Sequence, residues 1–371
     1  MVIIIGILGF VFLVLQKMVY ERMWYNHLKI KIDFATDYIF EGEEGELKEI
    51  IENKKWLPLS NLKVKFKTSR FLSFGNYKGS RTTDNYYRND VFRIGPGERV
   101  TRSLRFTAKK RGYYTIDEAN LVASDLFFLN QMMSDMKLNA KIHVYPRPYN
   151  NSELHQALIQ LNGDMLSKRH LYEDPFEYRG IREYQPYDDM RSINWKATAK
   201  TGDFKVNQRN YTSLKSVRIF FNIEDNNIWK KEDCVEMSLR LVASIASFFL
   251  KQGIQVSCYG NGVDIETHYP VQIPSKAGEG HMDAIYKALS RVDTEQPVIN
   301  FNSYFEEMLF EKSDSTYTFF VALNQYDDFV DLLTRFKKEG NSFIWFYPVE
   351  KNHLPELPLT LEKNIRMIYP D

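Results

Sequence analysis

The densest collection of charged and aromatic side chains lies at residues 174–202. It reads Asp174-Pro-Phe-Glu-Tyr-Arg179-Gly180-Ile-Arg182-Glu-Tyr184-Gln-Pro186-Tyr-Asp188-Asp189-Met-Arg191-Ser-Ile-Asn194-Trp195-Lys196-Ala-Thr-Ala-Lys200-Thr-Gly202. Asp188 and Asp189 are adjacent carboxylates, and like charges in proximity raise one pKa, as paired acid–base groups require. Adjacent side chains diverge in direction, however. The plainer assignment makes one of them a helix cap and the other the partner of Arg191 or Arg182. Arg179, Arg182, Arg191, Lys196, Lys200 and Lys205, interleaved with aromatic residues, superficially suit a phosphate or nucleic-acid surface. Glu177, Glu183, Asp188 and Asp189 sit among them. That balance favours an internal ion-pair network pinning the segment to a sheet, built on bidentate arginine–carboxylate pairs, over a protein-binding surface or an anion site. Locally, Pro186 and Tyr187 form a turn. Asp188 or Asp189 caps a short helix whose Met190, Ile193 and Ala197 share a face, and Gly202 ends it. Tyr178, Tyr184 and Trp195 are expected to be packed.

Other catalytic constellations are missing from the sequence. The histidines at 27, 143, 155, 170, 268, 281 and 353 show no i,i+4 pair and no glutamate at metalloprotease spacing. There is no G-x-S-x-G elbow and no phosphate loop of the G-x-x-x-x-G-K-[ST] type. Gly260-Asn261-Gly262 follows a strand-like run but lacks a third glycine opening a helix. It reads instead as a hairpin turn, with residues 263–269 as the returning strand.

The segment from Glu177 to Val206 resembles the signature of the bacterial family known as domain of unknown function 58, approximately F-R-G-I-R-E-Y-x-P-G-D-D-x-R-x-I-x-W-K-A-S-A-R-T. It departs from that pattern at Tyr187 (glycine in the family), Thr198 (serine) and Lys200 (arginine). The resemblance implies a membrane segment, a β-sandwich, the signature, and an α/β domain like that of von Willebrand factor type A. It also implies association with a MoxR-type AAA+ ATPase, as a membrane-bound adaptor, with no assigned biochemical activity. Family members often carry two N-terminal membrane helices, whereas this sequence shows one. Type A domains that bind through a divalent cation carry D-x-S-x-S after their first strand, a carboxylate plus hydroxyl oxygens suiting a hard ion. Here the run is Asn222-Ile223-Glu224-Asp225-Asn226, without the leading aspartate or either serine. Glu224, Asp225 and Asn226 offer at most a degenerate site, so no metal and no cofactor are expected.

These segments need elements to hold them. A chain of 371 residues exceeds what one core usually supports. With 49 basic and 48 acidic residues, its charge of +1 provides no global field toward nucleic acid. Its 44% apolar and 15% aromatic content supplies packed cores and excludes disorder. Cys234 and Cys258 are read as buried free thiols. Alternating apolar and polar residues over 26–147, punctuated by Gly42, Gly45, the Gly95-Pro96-Gly97 cluster and Gly112, predict seven or eight short strands in an immunoglobulin-like β-sandwich. Residues 146–149 read as a linker, and 151–215 hold the signature segment, its motif at 174–206. Over 216–371 apolar strands alternate with helical runs: strands at 217–222, 256–259, 317–323 and 343–347, helices at 235–250, 282–289 and 329–336. That rhythm predicts an open, mostly parallel α/β sheet, type-A-like by resemblance.

Residues 1–15 carry no charge, and residues 18–20 resume the apolar run. About 20 residues span a bilayer, so 1–20 reads as a single transmembrane anchor, with Lys17 snorkelling and Trp24 and Tyr25 as an interfacial girdle. No basic n-region precedes it and no cleavage site follows, which argues against a signal peptide. Lys17, Arg22, Lys29 and Lys31 all follow the uncharged run, so the positive-inside bias places the remainder in the cytoplasm. The expectation is a non-enzymatic membrane-tethered adaptor. Two alternatives stay open: a metal-dependent hydrolase using Glu224, Asp225 and Asp188 or Asp189, and an extracytoplasmic envelope-binding protein.

Overall fold

The computed structural model describes residues 2–75, 80–169, 173–211, 216–225, 231–311, 316–323, 326–349 and 358–369, with the side chains of 2, 164–179 and 208–211 outside that description. The chain divides into two compact units, Met1–Arg147 with Tyr286–Val292, and Pro148–Ile285 with Asp293–Asp371.

The first unit opens with α1 (Val2–Met23). Its stretch Ile3–Met23 is long and apolar enough to cross a membrane. Ten strands follow: β1 (Leu28–Phe34), β2 (Tyr38–Phe40), β3 (Glu44–Asn53), β4 (Leu59–Ser69), β5 (Leu72–Ser73), β6 (Arg81–Thr82), β7 (Asn85–Ile94), β8 (Arg99–Ala108), β9 (Gly112–Ser124) and β10 (Gln131–Tyr145). They form a four-stranded sheet in the order β1-β3-β8-β5 and a six-stranded sheet in the order β2-β10-β9-β4-β7-β6. The pairing is antiparallel except where β2 joins β10. Leu47, Ile51, Leu104 and Phe106 of one sheet share a core with Val64, Phe66, Phe92, Ile116, Leu121 and Ile142 of the other, each strand presenting alternate residues inward. Two expectations change here. The described residues form ten strands where seven or eight were expected: β7 alternates in burial while carrying Arg88 and Asp90 inward, and β2, β5 and β6 are only two or three residues long, too short for a period to show. And Trp24, expected in an interfacial girdle, is only 6% exposed and packs with Tyr20 in this core; the helix ends inside the folded unit.

Beyond Arg147 the chain runs through α2 (Ser152–Arg169), β11 (Glu173–Glu183), α3 (Trp195–Thr201), β12 (Lys205–Tyr211), β13 (Ser216–Asn222), α4 (Glu232–Leu250), β14 (Gln255–Asp264), β15 (Pro270–Lys276), α5 (Glu279–Arg291), β16 (Val292–Asp293), α6 (Phe301–Phe310), β17 (Thr316–Ala322), α7 (Asp327–Lys338), β18 (Phe343–Pro348) and β19 (Ile365–Ile368). The main sheet has the order β15-β14-β13-β17-β18-β19, with β16 also on β14. Its strands β14, β13, β17, β18 and β19 are parallel. Phe220, Phe320 and Trp345 pack on one face with Phe305 of α6 and Phe329 and Phe336 of α7. On the opposite face Phe319 meets Phe249 of α4 at 5.3 Å between ring centroids. Continuous apolar strands covered on both faces are what a parallel sheet demands. Tyr149, placed by the sequence in a linker, is buried: its backbone N–H donates to Ser244 Oγ (2.7 Å) on α4 and its hydroxyl to the Tyr369 carbonyl (2.9 Å). The expected turn at Gly260-Asn261-Gly262 lies inside β14 instead. The chain reverses at 264–269, where Asp264 Oδ1 accepts from the amides of Glu266 and Thr267. Gly260 is there because a Cβ would sit 2.0 Å from the Phe221 ring.

Candidate functional site

The signature is an excursion between two paired strands. β11 and β12 run antiparallel, with Arg182 opposite Val206 and Glu183 opposite Lys205. Between them the expected single helix is two pieces. Asp189 caps a 3-10 turn at Met190–Ser192, its Oδ1 accepting from the Arg191 amide at 3.0 Å. Asn194 then restarts the chain as the cap of α3, its Oδ1 accepting from the Ala197 amide at 3.0 Å. The break arises because Asn194 also gives its side-chain amide to Asn207 Oδ1 (2.7 Å) and its backbone N–H to the Lys205 carbonyl (2.7 Å), bonds to β12 that a continuing helix would not allow. Gly202 ends α3 at φ 83°, in the left-handed region.

Asp188 and Asp189 therefore act separately. Asp188 accepts both Arg182 Nη1 (2.6 Å) and Nη2 (2.5 Å), and also the Gln185 amide (2.8 Å). Arg182 holds its carboxyl below the usual carboxylate range, the wrong direction for a proton-sharing acid. Lys205 reaches Glu183 at 3.1 Å, and its backbone N–H donates to Thr198 Oγ1 at 3.0 Å.

The ion-pair network expected from the cations is thus smaller. Arg182 and Lys205 are paired, whereas Arg191, Lys196 and Lys200 are exposed and form no ion pair among the described residues. The Arg179 side chain lies outside the described ones. Gly180 and Tyr184 are half-buried and Pro186 is exposed. Trp195, expected to be packed, is 62% exposed, and Tyr187, at the position where the family pattern has glycine, is 81% exposed. Met190 and Phe204 are exposed beside them, with Phe204 touching the Trp195 ring edge-on at 6.4 Å. Inward, only Ile193 and Val206 of this segment are buried among the described residues.

The second candidate lies at the carboxyl end of β13, where ligands of open α/β sheets usually bind. Asn222 is buried, and its Oδ1 accepts from the Glu224 amide (3.0 Å) and from Asn261 Nδ2 (2.7 Å). Asn261 returns a bond from the Ile223 amide to its own Oδ1 at 3.0 Å. It ties β13 to β14 at a position that the turn-like sequence concealed. Asp225 Oδ2 accepts the Lys231 amide at 2.6 Å, and Asn226 lies outside the described residues. Glu224, Asp225, Glu232 and Glu236 line a cleft of about 280 Å³ with Val235 and Pro297. Among the described residues no group of three or more His, Cys, Asp or Glu side chains is arranged to hold a metal ion.

No curated protein matches the chain. Among solved structures, the CARDB domain of a Pyrococcus furiosus protein is 15% identical and covers 30% of this chain and 91% of its own, at a TM-score of 0.20. A non-cellulosomal cohesin from Archaeoglobus fulgidus is 10% identical over 35% of this chain and 97% of its own, at 0.23. The sporulation control protein Spo0M of Bacillus subtilis is 11% identical over 43% and 58%, at 0.20. Likenesses of this size carry no functional argument. The region that holds the signature from Gly180 onward, the cleft and the helices through α7 is more informative: residues 180–337 match the family model described as Protein of unknown function DUF58.

Proposed function

We propose that this protein is a membrane-anchored adaptor whose signature loop is a protein-binding surface, serving a MoxR-type AAA+ ATPase at the cytoplasmic face. In this reading the first unit is an immunoglobulin-like sandwich and the second a type-A-like domain. The observation that carries it is the division within the signature. Arg182, Asp188, Asp189 and Asn194 hold the loop in one shape, while Tyr187, Met190, Arg191, Trp195, Lys196 and Lys200 are left exposed on it. Exposed aromatic and arginine side chains on a rigid support are the composition of interface hot spots. The helix α1 supports the anchor, and Arg22 in its last turn with Lys29 and Lys31 beyond it support the orientation. The ATPase itself comes from the family resemblance.

The test is affinity purification of the full chain from detergent-solubilised membranes, with and without a non-hydrolysable ATP analogue, beside the double variant Trp195→Ala, Arg191→Glu. Nucleotide-dependent recovery of an AAA+ ATPase, lost in the variant while its thermal melt is unchanged, is the expected result. Recovery in neither nucleotide state removes the partner, and equal recovery with the variant removes the loop. Labelling of the second unit by a membrane-impermeant thiol reagent on intact cells, through an introduced cysteine, would reverse the orientation.

A further inference from the structure

The β9–β10 connection of the first unit carries Leu126, Phe127, Phe128 and Leu129 in succession, between 42% and 65% exposed. Four consecutive large apolar side chains on a loop tip are uncommon on a water-facing surface. The tip is built rather than loose. Asp125, fully buried, accepts from the Leu129 amide and from Asn130 Nδ2, both at 2.8 Å. The Phe128 amide donates back to the Asp125 carbonyl at 3.2 Å. Phe128 itself sits at φ 60°, a left-handed conformation that a bulky residue adopts only when its surroundings impose it. Two tip amides are thereby satisfied within the loop, as backbone leaving water requires.

The tip also has a defined position along α1. Phe12, Gln16, Tyr20 and Trp24 recur at intervals of four and share one stripe of the helix. Tyr20 and Trp24 enter the core of the unit, the Gln16 amide is shielded, and the Phe12 ring meets Phe127 edge-on at 6.2 Å. Lys17, paired with Glu21, is the first charged residue of the helix and marks the headgroup level. Phe12 lies five residues deeper, roughly 7 Å at the helical rise. Whatever touches Phe12 in a crossing helix lies below the headgroups.

We propose that the 126–129 tip inserts into the hydrocarbon of the same leaflet beside α1, a second membrane contact that fixes how the first unit stands on the bilayer. The proposal rests on α1 being the anchor. The lipid-facing surface of α1 continues onto the tip, and Trp56, exposed on the loop whose Pro58 carbonyl accepts the Tyr20 hydroxyl at 3.0 Å, supplies the headgroup-level aromatic that Trp24 does not.

The test places a nitrobenzoxadiazole label on single cysteines introduced at Leu8, Leu126, Phe127 and Lys65 of the full chain in phosphatidylcholine vesicles. Cys234 and Cys258 are buried and are left in place. Quenching by doxyl lipid is compared with quenching by aqueous iodide. Labels at 8, 126 and 127 are expected to be quenched by the lipid and protected from iodide, and the label at 65 to behave oppositely. If position 8 is quenched by lipid while 126 and 127 resemble 65, the anchor stands and the insertion is refuted. If position 8 itself resembles 65, the anchor fails. Shielding of 126 and 127 from both quenchers would place the tip in a protein interface and also overturn the proposal.

Discussion

Replacing Glu49 by glutamine should make the first unit more stable at neutral pH and erase most of its pH dependence. Glu49 points inward from β3, fully buried, and neither of its oxygens finds a hydrogen-bond donor among the described residues. Arg102 stands opposite it on β8, but Arg102 donates to Asp90 at 2.7 Å, and Arg88 is bonded to Asp90 as well. Both cations therefore serve the neighbouring carboxylate. Burial first, and then the Asp90 charge, push the Glu49 carboxyl from 4.5 up to about 8. The folded state keeps a proton that the unfolded chain releases. Stability is consequently full below about pH 4.5 and is lost as pH rises toward 8, by about 1.4 kcal/mol per pH unit. At pH 7 the loss amounts to about 3 kcal/mol and above pH 8 to about 5 kcal/mol. Glutamine has the same shape and no proton to lose. Hydrogen exchange at the amides of β3 and β8, corrected for intrinsic rate, reads the opening free energy of this unit in the full chain. Wild-type opening free energy should fall between pH 5 and 8 while Glu49→Gln stays level. A wild-type value independent of pH, or a variant with the same slope as wild type, would refute the reasoning.

Lys55, 6% exposed with no partner for Nζ among the described residues, is lowered by burial to about 8, so stability rises with pH from 8 to 10.5. The same exchange experiment should then show a minimum near pH 8, and Lys55→Met should raise stability at pH 7 by on the order of 3 kcal/mol. Gly260→Ala should lower the thermal midpoint of the second unit, by about 1–3 kcal/mol of destabilisation, because the new methyl meets Phe221; adding Phe221→Leu should recover part of the loss. Arg182→Ala should speed exchange at the Gln185 amide without moving the melt, since among the described residues that amide is held through Asp188 alone. Isothermal titration with Mg²⁺, Mn²⁺ and Ca²⁺ should show no micromolar binding; such binding, abolished by Asp225→Ala, would replace the adaptor reading with the metal-dependent one.

Segments whose burial follows their chemistry were legible. β9 (Gly112–Ser124), β13 and α4 emerge from period alone, because the apolar residues are the buried ones. β7 did not, since its inward positions include Arg88 and Asp90 and the alternation of types is broken although that of burial is not. The same inversion hid Glu49. Trp24 and Trp195 exchanged their expected environments for a related reason: type says that an indole prefers burial, but only tertiary placement says which indole obtains it. Asn261 was hidden by its glycine neighbours, which spell a turn locally, although Gly260 serves the close approach of Phe221 to β14. In the signature, the roles of Asp188 and Asp189 were readable from adjacency and from the arginines nearby, while the break at Asn194 depends on its bonds to β12, residues that local capping rules do not see.

That break bears on whether the signature binds or catalyses. A catalytic carboxylate needs a concave, partly dehydrated setting and a pKa moved toward neutrality. Asp188 is moved the other way and Asp189 is engaged as a cap. The two-piece arrangement instead turns Met190 and Trp195 outward on separate short elements, with Arg191, Lys196 and Lys200 around them. A single helix with Met190, Ile193 and Ala197 on one buried face would have hidden Met190. Holding such side chains exposed on a loop braced by Arg182 and Asn194 forgoes their burial in the free protein. It also means that little ordering entropy remains to be lost when a partner covers them. Both consequences suit a docking surface better than a reaction centre, and they locate the loss expected of Trp195→Ala in partner binding, not in folding.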